Sequence, residues 1–438
     1  MGAHAVETPR TVKRSLAVSR RVTLAIGIVA VAVLAGCTPV EPEPTPAPTP
    51  SVIASVAPTG DGVLRIGTLF PMGGDLSSAG PAMVAAVEVA VRDINVAGGV
   101  LGVPVEVFSR NSGVASEQLL EVSFAALVER GIDVIVGPTE AELAARLLPL
   151  AEAAGVVVLA PAAIASAVRD GDTQGVFFST VLADDQFAAG IVETLAADNA
   201  QSLAVITSAD ALGAAFESSA REAAESADLL LTSVEQLGAA TTPDRLAASV
   251  ADAEPDAVII ATGSASAEQN QGILQALIAK GLDPERLWLV GQAVSDYVGA
   301  FDEGTLEGVN GVLEGATPSD EFIARLLQSD PALRMFSGSA ATYDAVVLAA
   351  LAATLANDDG GPSIAAQLRA AAGGGVACTS FGECLKVLQT EPAIDYEGLS
   401  GPLTLNDEGD ASAGEIALYR YTAENLAERV GTLPVSSR

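Results

Sequence analysis

The sequence predicts an α/β protein built from two doubly wound, parallel-sheet lobes. Three observations carry this. Short buried-strand runs alternate with amphipathic helices along most of the chain, which is the rhythm of parallel sheets with crossover helices. That rhythm runs through one series, restarts, and runs through a second of similar length. The chain has 438 residues, and a single core rarely grows past ~250–300 residues.

Before the first series come two segments of different character. Arg10, Lys13, Arg14, Arg20 and Arg21 precede an apolar run from Val22 to Gly36, broken only by Thr23. Fifteen residues fall short of the ~20 that a bilayer-spanning helix needs. A basic region, a short apolar region and small residues before a cut site describe a secretory signal over 1–36. The alternative is a short membrane helix with a chance cysteine. Leu34-Ala35-Gly36-Cys37 resembles the bacterial lipoprotein signal, a resemblance that implies cleavage before Cys37 and its lipidation. Residues 37–60 then form a tether rich in Pro and Thr, beginning TPVEPEPTPAPTP. In polyproline II form it rises ~3.1 Å per residue.

In the first series, Val63–Phe70 is a strand and Pro81–Ala97 a helix whose Met83, Val87, Ala90, Val91 and Ile94 share a face. Gly98 and Gly99 end that helix. Val103–Phe108 is a strand, Ser116–Arg130 a helix, Val134–Val136 a buried strand and Glu140–Ala154 a helix. Val156–Leu159 and Val176–Val181 are strands. The second series pairs helix Asp185–Ala197 with strand Leu203–Thr207, and helix Ala211–Ser226 with strand Leu229–Gln236. It continues with helix Pro243–Ala253 and strand Ala257–Ala261, then helix Ala267–Lys280 and strand Leu287–Val290. Helices follow at Asp320–Gln328, Ala340–Leu355 and Ser363–Ala372, then a strand pair near Pro402–Leu405 and Ile416–Tyr421. The longest later apolar run, Ala340–Ala356, contains Tyr343 and Asp344 and reads as a core helix.

Composition excludes several functions. Carboxylates outnumber cations 55 to 22, for a net charge of −33. Residues 1–36 carry a net +4, so their removal leaves −37. Such a surface repels phosphate backbones, and no nucleic-acid partner is expected. The single histidine, His4, goes with the signal, which excludes histidine triads, histidine–metal sites and histidine proton shuttles. Cys378 and Cys384, in CTSFGEC, are read as a disulfide outside the cytoplasm; no further ligands suggest a metal, and the spacing is not Cys-x-x-Cys. The GGG at 373–375 lacks the preceding strand and following Lys-Ser/Thr of a phosphate cradle. No cofactor is expected, and no nucleophile is paired with a base, so an enzyme is not expected.

The run IGTLFPMGGDLSSAGPAMVAAVEVAVRDINVAGGVLGVPVEV, 66–107, resembles the opening of type I periplasmic binding proteins, and within them the branched-chain amino-acid (leucine-binding) receptors of ABC transporters. VIVGPTEAEL, VVVLAPAA, VFFSTVLADDQ, PDAVIIA, ATYDAVVLAALA and DYEGLSGPLTLNDEGD follow in the same order. The resemblance implies two lobes joined by a three-stranded hinge, a small ligand in the cleft and an ABC permease as partner. The division expected is 61–181 plus 316–395 for the first lobe and 182–315 plus 396–430 for the second.

Cleft residues follow from the same resemblance, one loop at a time. Ser77 and Ser78 contact ligand or cap a helix; relatives often carry an aromatic or hydroxyl residue where Ala79 stands. Thr139 stands where relatives hold a ligand carboxylate with a hydroxyl pair, but Thr139 and Glu142 also fit a capping box. Glu140 points to solvent or selects a cationic ligand. Ala163 offers only its backbone N–H. Asp210 binds an amine or caps a helix, Gln292 gives a neutral contact, and Asp184 and Asp185 fit a helix cap. With this hydroxyl clamp eroded, the expected function is a lipid-anchored receptor on the outer face of the cell membrane that passes a small polar solute, such as an amino acid or amide, to an ABC importer. The alternative is a ligand-sensing or protein-interaction module on the same fold with a degenerate cleft.

Overall fold

The computed structural model describes residues 57–72, 80–162, 175–182, 184–238, 240–262, 267–295, 297–314, 318–412 and 414–435. The signal, most of the tether with Cys37, and Ser77, Ser78 and Ala163 lie outside them.

The first sheet is parallel throughout and has six strands in the order β14-β5-β4-β3-β1-β2. These are β1 (Arg65–Phe70), β2 (Glu106–Asn111), β3 (Val134–Val136), β4 (Val157–Ala160), β5 (Phe177–Leu182) and the short β14 (Asp410–Ala411). Every residue of β3, β4 and β5 is buried, as strands covered by helices on both faces must be. On one face lie α1 (Gly80–Val96) and α9 (Ser339–Ala356), and on the other α2 (Leu119–Val128) and α3 (Ala141–Ala154). Helix α1 buries Met83, Val87, Ala90, Val91 and Ile94 and gives way to Gly98 and Gly99, both at positive φ. Helix α9 is the one described helix long and apolar enough to cross a membrane, and it is buried in this core.

The second sheet has seven strands in the order β16-β15-β10-β9-β8-β6-β7. Its parallel part is β6 (Ser202–Ser208), β7 (Leu230–Leu237), β8 (Ala257–Ala261), β9 (Leu287–Val290) and β10 (Asn310–Glu314); β15 (Gly414–Tyr421) and β16 (Ala427–Val435) add antiparallel. Helices α4 (Asp184–Ala197) and α5 (Ala211–Ser226) cover one face, α6 (Pro243–Asp252) and α7 (Ala267–Ala279) the other. In the first lobe, α8 (Asp320–Ser329) packs on α1, and α10 (Gly361–Ala371) and α11 (Phe381–Val387) complete its helices. A small third sheet joins β11 (Val376–Cys378), β12 (Ile394–Gly398) and β13 (Gly401–Pro402). Cys378 and Cys384 are bonded, clasping β11 to α11.

Three expectations change. The second strand begins at Glu106 rather than Val103, because Val100 and Val103 bridge each other across a tight turn. Residues 402–405 do not pair with 416–421: Pro402 pairs with Glu397, Leu405 bridges Ala411, and Ile416–Tyr421 takes β10 and β16 as neighbours. The last passage between sheets was expected at 395–396. Pairing puts β14 on the first sheet, so the chain crosses between Ala411 and Gly414.

Two carboxylates, the buried Asp344 and the half-buried Asp133, bear on this architecture. Asp344, fully buried in α9, accepts from Tyr396 Oη (2.8 Å), Leu399 N (2.8 Å), Ser400 N (2.7 Å) and Ser400 Oγ (2.5 Å). It therefore holds the β12–β13 turn against the core. Gly398 is required there, since a Cβ would lie 2.3 Å from Asp344 Cγ. Asp133 Oδ2 accepts the Arg65 N–H at 2.9 Å at the start of β1. Burial pushes the Asp133 carboxyl up to about 7; the Arg65 N–H opposes this, and the charges of Asp359 and Asp61 add to it.

Asp344→Asn replaces one acceptor oxygen with an NH2 group facing N–H and O–H donors. It should cost about 1–3 kcal/mol in urea unfolding with an unchanged m value; a change within ~0.5 kcal/mol, the range of an ordinary surface substitution, would remove its role. For Asp133 the folded carboxyl keeps its proton to about pH 7 and the unfolded one only to about pH 4. The folded state therefore binds more protons in that window, and this group's contribution to stability falls as pH rises through it. Asp133→Asn, which keeps an oxygen for the Arg65 N–H, should gain on the wild type between about pH 5 and 7 and level off above, read by urea midpoints across pH.

Candidate ligand-binding cleft

The chain passes between the sheets three times. It leaves the first at Leu182 of β5, leaves the second at Glu314 of β10, and crosses again from Ala411 to Gly414. The passages are neighbours: Leu182 pairs with Ala411, and Glu314 pairs with Ile416. Thr180 Oγ1 donates to Ala341 O (3.1 Å), tying the first passage to the start of α9. The first two passages leave from the carboxyl ends of strands. Because the adjoining strands are parallel, all their carboxyl ends share those edges, and both edges adjoin the passages between the sheets. Ligands of open α/β sheets bind beyond such edges.

On the first lobe, Gly137-Pro138-Thr139-Glu140 leads from β3 into α3. The Thr139 hydroxyl oxygen is sheltered from solvent and has no hydrogen-bond partner among the described residues. The capping box expected of Thr139 and Glu142 does not form. Glu140 occupies the cap position, in extended backbone, and makes no side-chain cap bond. Glu140 is half-buried rather than pointing freely to solvent. Burial pushes its carboxyl above the usual range, while a hydrogen bond from the Ala115 backbone opposes the shift and the Glu142 charge adds to it. Its carboxylate is thus directed to the loop after β2. Asn111 steadies that loop: its Oδ1 accepts from Met72 N (3.0 Å) and Gly113 N (2.9 Å), joining the turns after β1 and β2. Sequence reasoning missed Asn111, although an Asn followed by Ser-Gly at a strand end is a turn signal.

On the second lobe, Asp210 caps α5. Its Oδ1 accepts from Gly213 N (2.8 Å) and Ser208 Oγ (2.9 Å). Gln292 lies in the single turn Gly291–Ala293 that follows β9, and its side chain is outside the described part. Thr262, just past β8, donates to Asn270 Oδ1 of α7 at 2.5 Å, a buried link that sequence reasoning also missed. The side chains of Asp184 and Asp185, which begin α4, are outside the described part. The structure therefore brings Thr139, Glu140, Asp210 and Gln292 to carboxyl edges of their sheets.

A separate cavity of about 470 Å³ opens beside the β12–β13 turn, lined by Ser319, Thr379, Glu397, Leu399 and, from β16, Arg429. It contains none of the expected ligand residues and lies beside the small third sheet, past the ends of β11 and β12.

The family profile described as "Periplasmic binding protein" matches residues 63–377. A search of curated proteins finds no match. Among solved structures, the chain is similar to the branched-chain amino-acid substrate-binding protein of Streptococcus pneumoniae in complex with isoleucine. The two share 18% identity over 85% of this chain and 99% of that one, with a TM-score of 0.61. A leucine-binding protein of Thermotoga maritima gives 15% identity over 84% and 98%, TM-score 0.61. A solute-binding protein from R. palustris in complex with 4-hydroxybenzoate gives 15% over 85% and 98%, TM-score 0.64. With the profile spanning most of the described residues and the fold matched along nearly the whole of these structures, the chain belongs to the periplasmic binding protein family.

Proposed function

We propose that the chain is an extracytoplasmic solute receptor of an ABC importer, held at the membrane by lipid on Cys37, and that it binds a small polar ligand such as an amino acid or amide between its lobes. The observation that carries the reading is the Thr139 hydroxyl, sheltered and without a partner among the described residues at the carboxyl end of β3 and the start of α3. A buried hydroxyl left unpaired is costly, and a ligand carboxylate or amide oxygen arriving there would accept its hydrogen and meet the free N–H groups of α3. Similar proteins crystallised with isoleucine and with 4-hydroxybenzoate both hold carboxylate-bearing solutes. The lobes in this reading are 61–181 plus 316–411 and 182–315 plus 414–435. Ser77, Ser78 and the Ala163 N–H belong to the first lobe's side of the cleft and Gln292 to the second's. Asp210 acts there as a helix cap. The reading assigns no catalytic residue and no cofactor: closure of the hinge around solute is the working motion, and lipid at Cys37 would keep the receptor beside its permease.

Thermal unfolding against amino acids, amides, aromatic acids and polyamines tests the reading. A true ligand at a hundredfold excess over its dissociation constant stabilises the native state by ~2.7 kcal/mol. Thr139→Val should weaken that ligand roughly tenfold while leaving the unliganded protein as stable or slightly more so, because an unpaired buried hydroxyl is removed. A loss of about 1 kcal/mol without ligand would instead mark Thr139 as a helix cap. No stabilisation by any solute would favour the protein-interaction module with a degenerate cleft.

A further inference from the structure

The corner between α9 and α10, Asn357-Asp358-Asp359-Gly360, lies on the amino-end side of β3 and β4, where Gly361 packs on Asp133 and Gly155, and does work that neither solute binding nor hinge motion uses. Five consecutive backbone N–H groups, from Thr59 to Val63, donate to its two carboxylates. Thr59 N and Gly60 N reach Asp358 Oδ2 and Oδ1, each at 3.1 Å. Asp61 N (3.1 Å) and Val63 N (3.2 Å) reach Asp359 Oδ2, and Gly62 N reaches Asp359 Oδ1 at 2.8 Å. Asp358 and Asp359 are 7% and 2% exposed, so these are sheltered charge-assisted bonds, the stronger kind. The fit is close on both sides: a Cβ on Gly360 would lie 2.2 Å from Thr59 Oγ1, and one on Gly60 would lie 2.4 Å from Asp359 Oδ1.

The segment so held is where the upstream chain joins the body. It leads straight into β1, which has β2 on one side and β3 on the other and so lies inside the first sheet. β1 has its own fastening at its first residue, the Arg65 N–H on Asp133 together with the Arg65 ion pairs to Asp61 (2.8 Å) and Glu106 (3.2 Å). The strap is thus held by Asp358 and Asp359 and the first residue of the strand by Asp133 and Glu106, with the Arg65–Asp61 ion pair joining the two. Upstream lies the segment read as signal and tether, on which any load from the membrane would arrive.

We propose that Asp358 and Asp359 form a strain-relief clasp that seats residues 59–63 as a strap, so that load on the upstream chain is borne by the α9–α10 corner and not passed into β1. The inference needs chain upstream of the strap and does not need Cys37 to carry lipid, so it stands or falls apart from the solute-receptor reading.

Amide hydrogen exchange on the full chain, read over a range of low urea concentrations, tests it. In the wild type the amides of 59–63 should be protected, and should open at lower urea than those of Ile66–Phe70, as a unit distinct from the strand. In Asp358→Asn/Asp359→Asn, exchange at 59–63 should quicken at least tenfold while Ile66–Phe70 keep wild-type protection. Pulling the wild-type chain from its N-terminus in optical tweezers should show a short extension before the first lobe unfolds, and this step should be missing in the double variant. Unprotected amides at 59–63 in the wild type would overturn the proposal. So would opening of 59–63 and β1 together, which would make the segment part of the strand. Both of these readouts use the wild type alone and hold even if the double variant fails to fold.

Discussion

One carboxylate with four donors organises the junction on which the rest of the molecule turns. Asp344 is the only carboxylate in α9, a helix buried from Ser339 to Ala353. Burial pushes its carboxyl above the usual range, and the Ser400, Leu399 and Tyr396 donors oppose the shift. Such a group is expensive to bury and is tolerated only where its hydrogen-bonding capacity is filled. Here it is filled by the turn joining β12 to β13. That turn fixes where the chain runs next: past Leu405, onto β14 beside β5, and over into the second sheet. The core of one lobe thus sets the path of the third hinge passage.

From that path the location of the cleft follows by topology. Two passages leave from carboxyl ends of strands, and parallel pairing carries this polarity across both sheets. The lobes differ where their edges are closed. The first is finished by a two-residue parallel strand, the second by a long antiparallel pair. Pro434 stands in β16, at the edge of its sheet, where a missing N–H costs no ladder bond. The single histidine lies outside the described residues, so no described imidazole takes part in solute recognition.

Much of the fold was legible in the sequence because its central strands are short continuous apolar runs and its helices carry a clear apolar face. Val134–Val136, Ala211–Ser226, Ala257–Ala261 and Leu287–Val290 coincide with their elements. The elements missed lack such a signal. Asn310–Glu314 contains a glycine and ends on an acid, Ile394–Gly398 alternates acids with apolar residues, and Ala427–Val435 contains Gly431 and Pro434; each depends on partners distant in sequence. The cleft was less legible. Thr-Glu-Ala-Glu reads as a capping box, but the backbone places the cap one residue later and leaves the hydroxyl unpaired among the described residues. Asp210 showed the opposite case, a local motif whose cap role is what the structure shows. Nothing in Asn-Asp-Asp-Gly-Gly-Pro marks the role of its aspartates, because their amide partners lie some three hundred residues upstream.

The most direct test of the account is a crystal structure of the chain grown with the solute that stabilises it most. The account predicts closed lobes with the solute between the two carboxyl edges and a polar atom within about 3.2 Å of Thr139 Oγ1. A solute seated elsewhere, such as the cavity beside Glu397 and Arg429, with the Thr139 hydroxyl still unpaired, would contradict it.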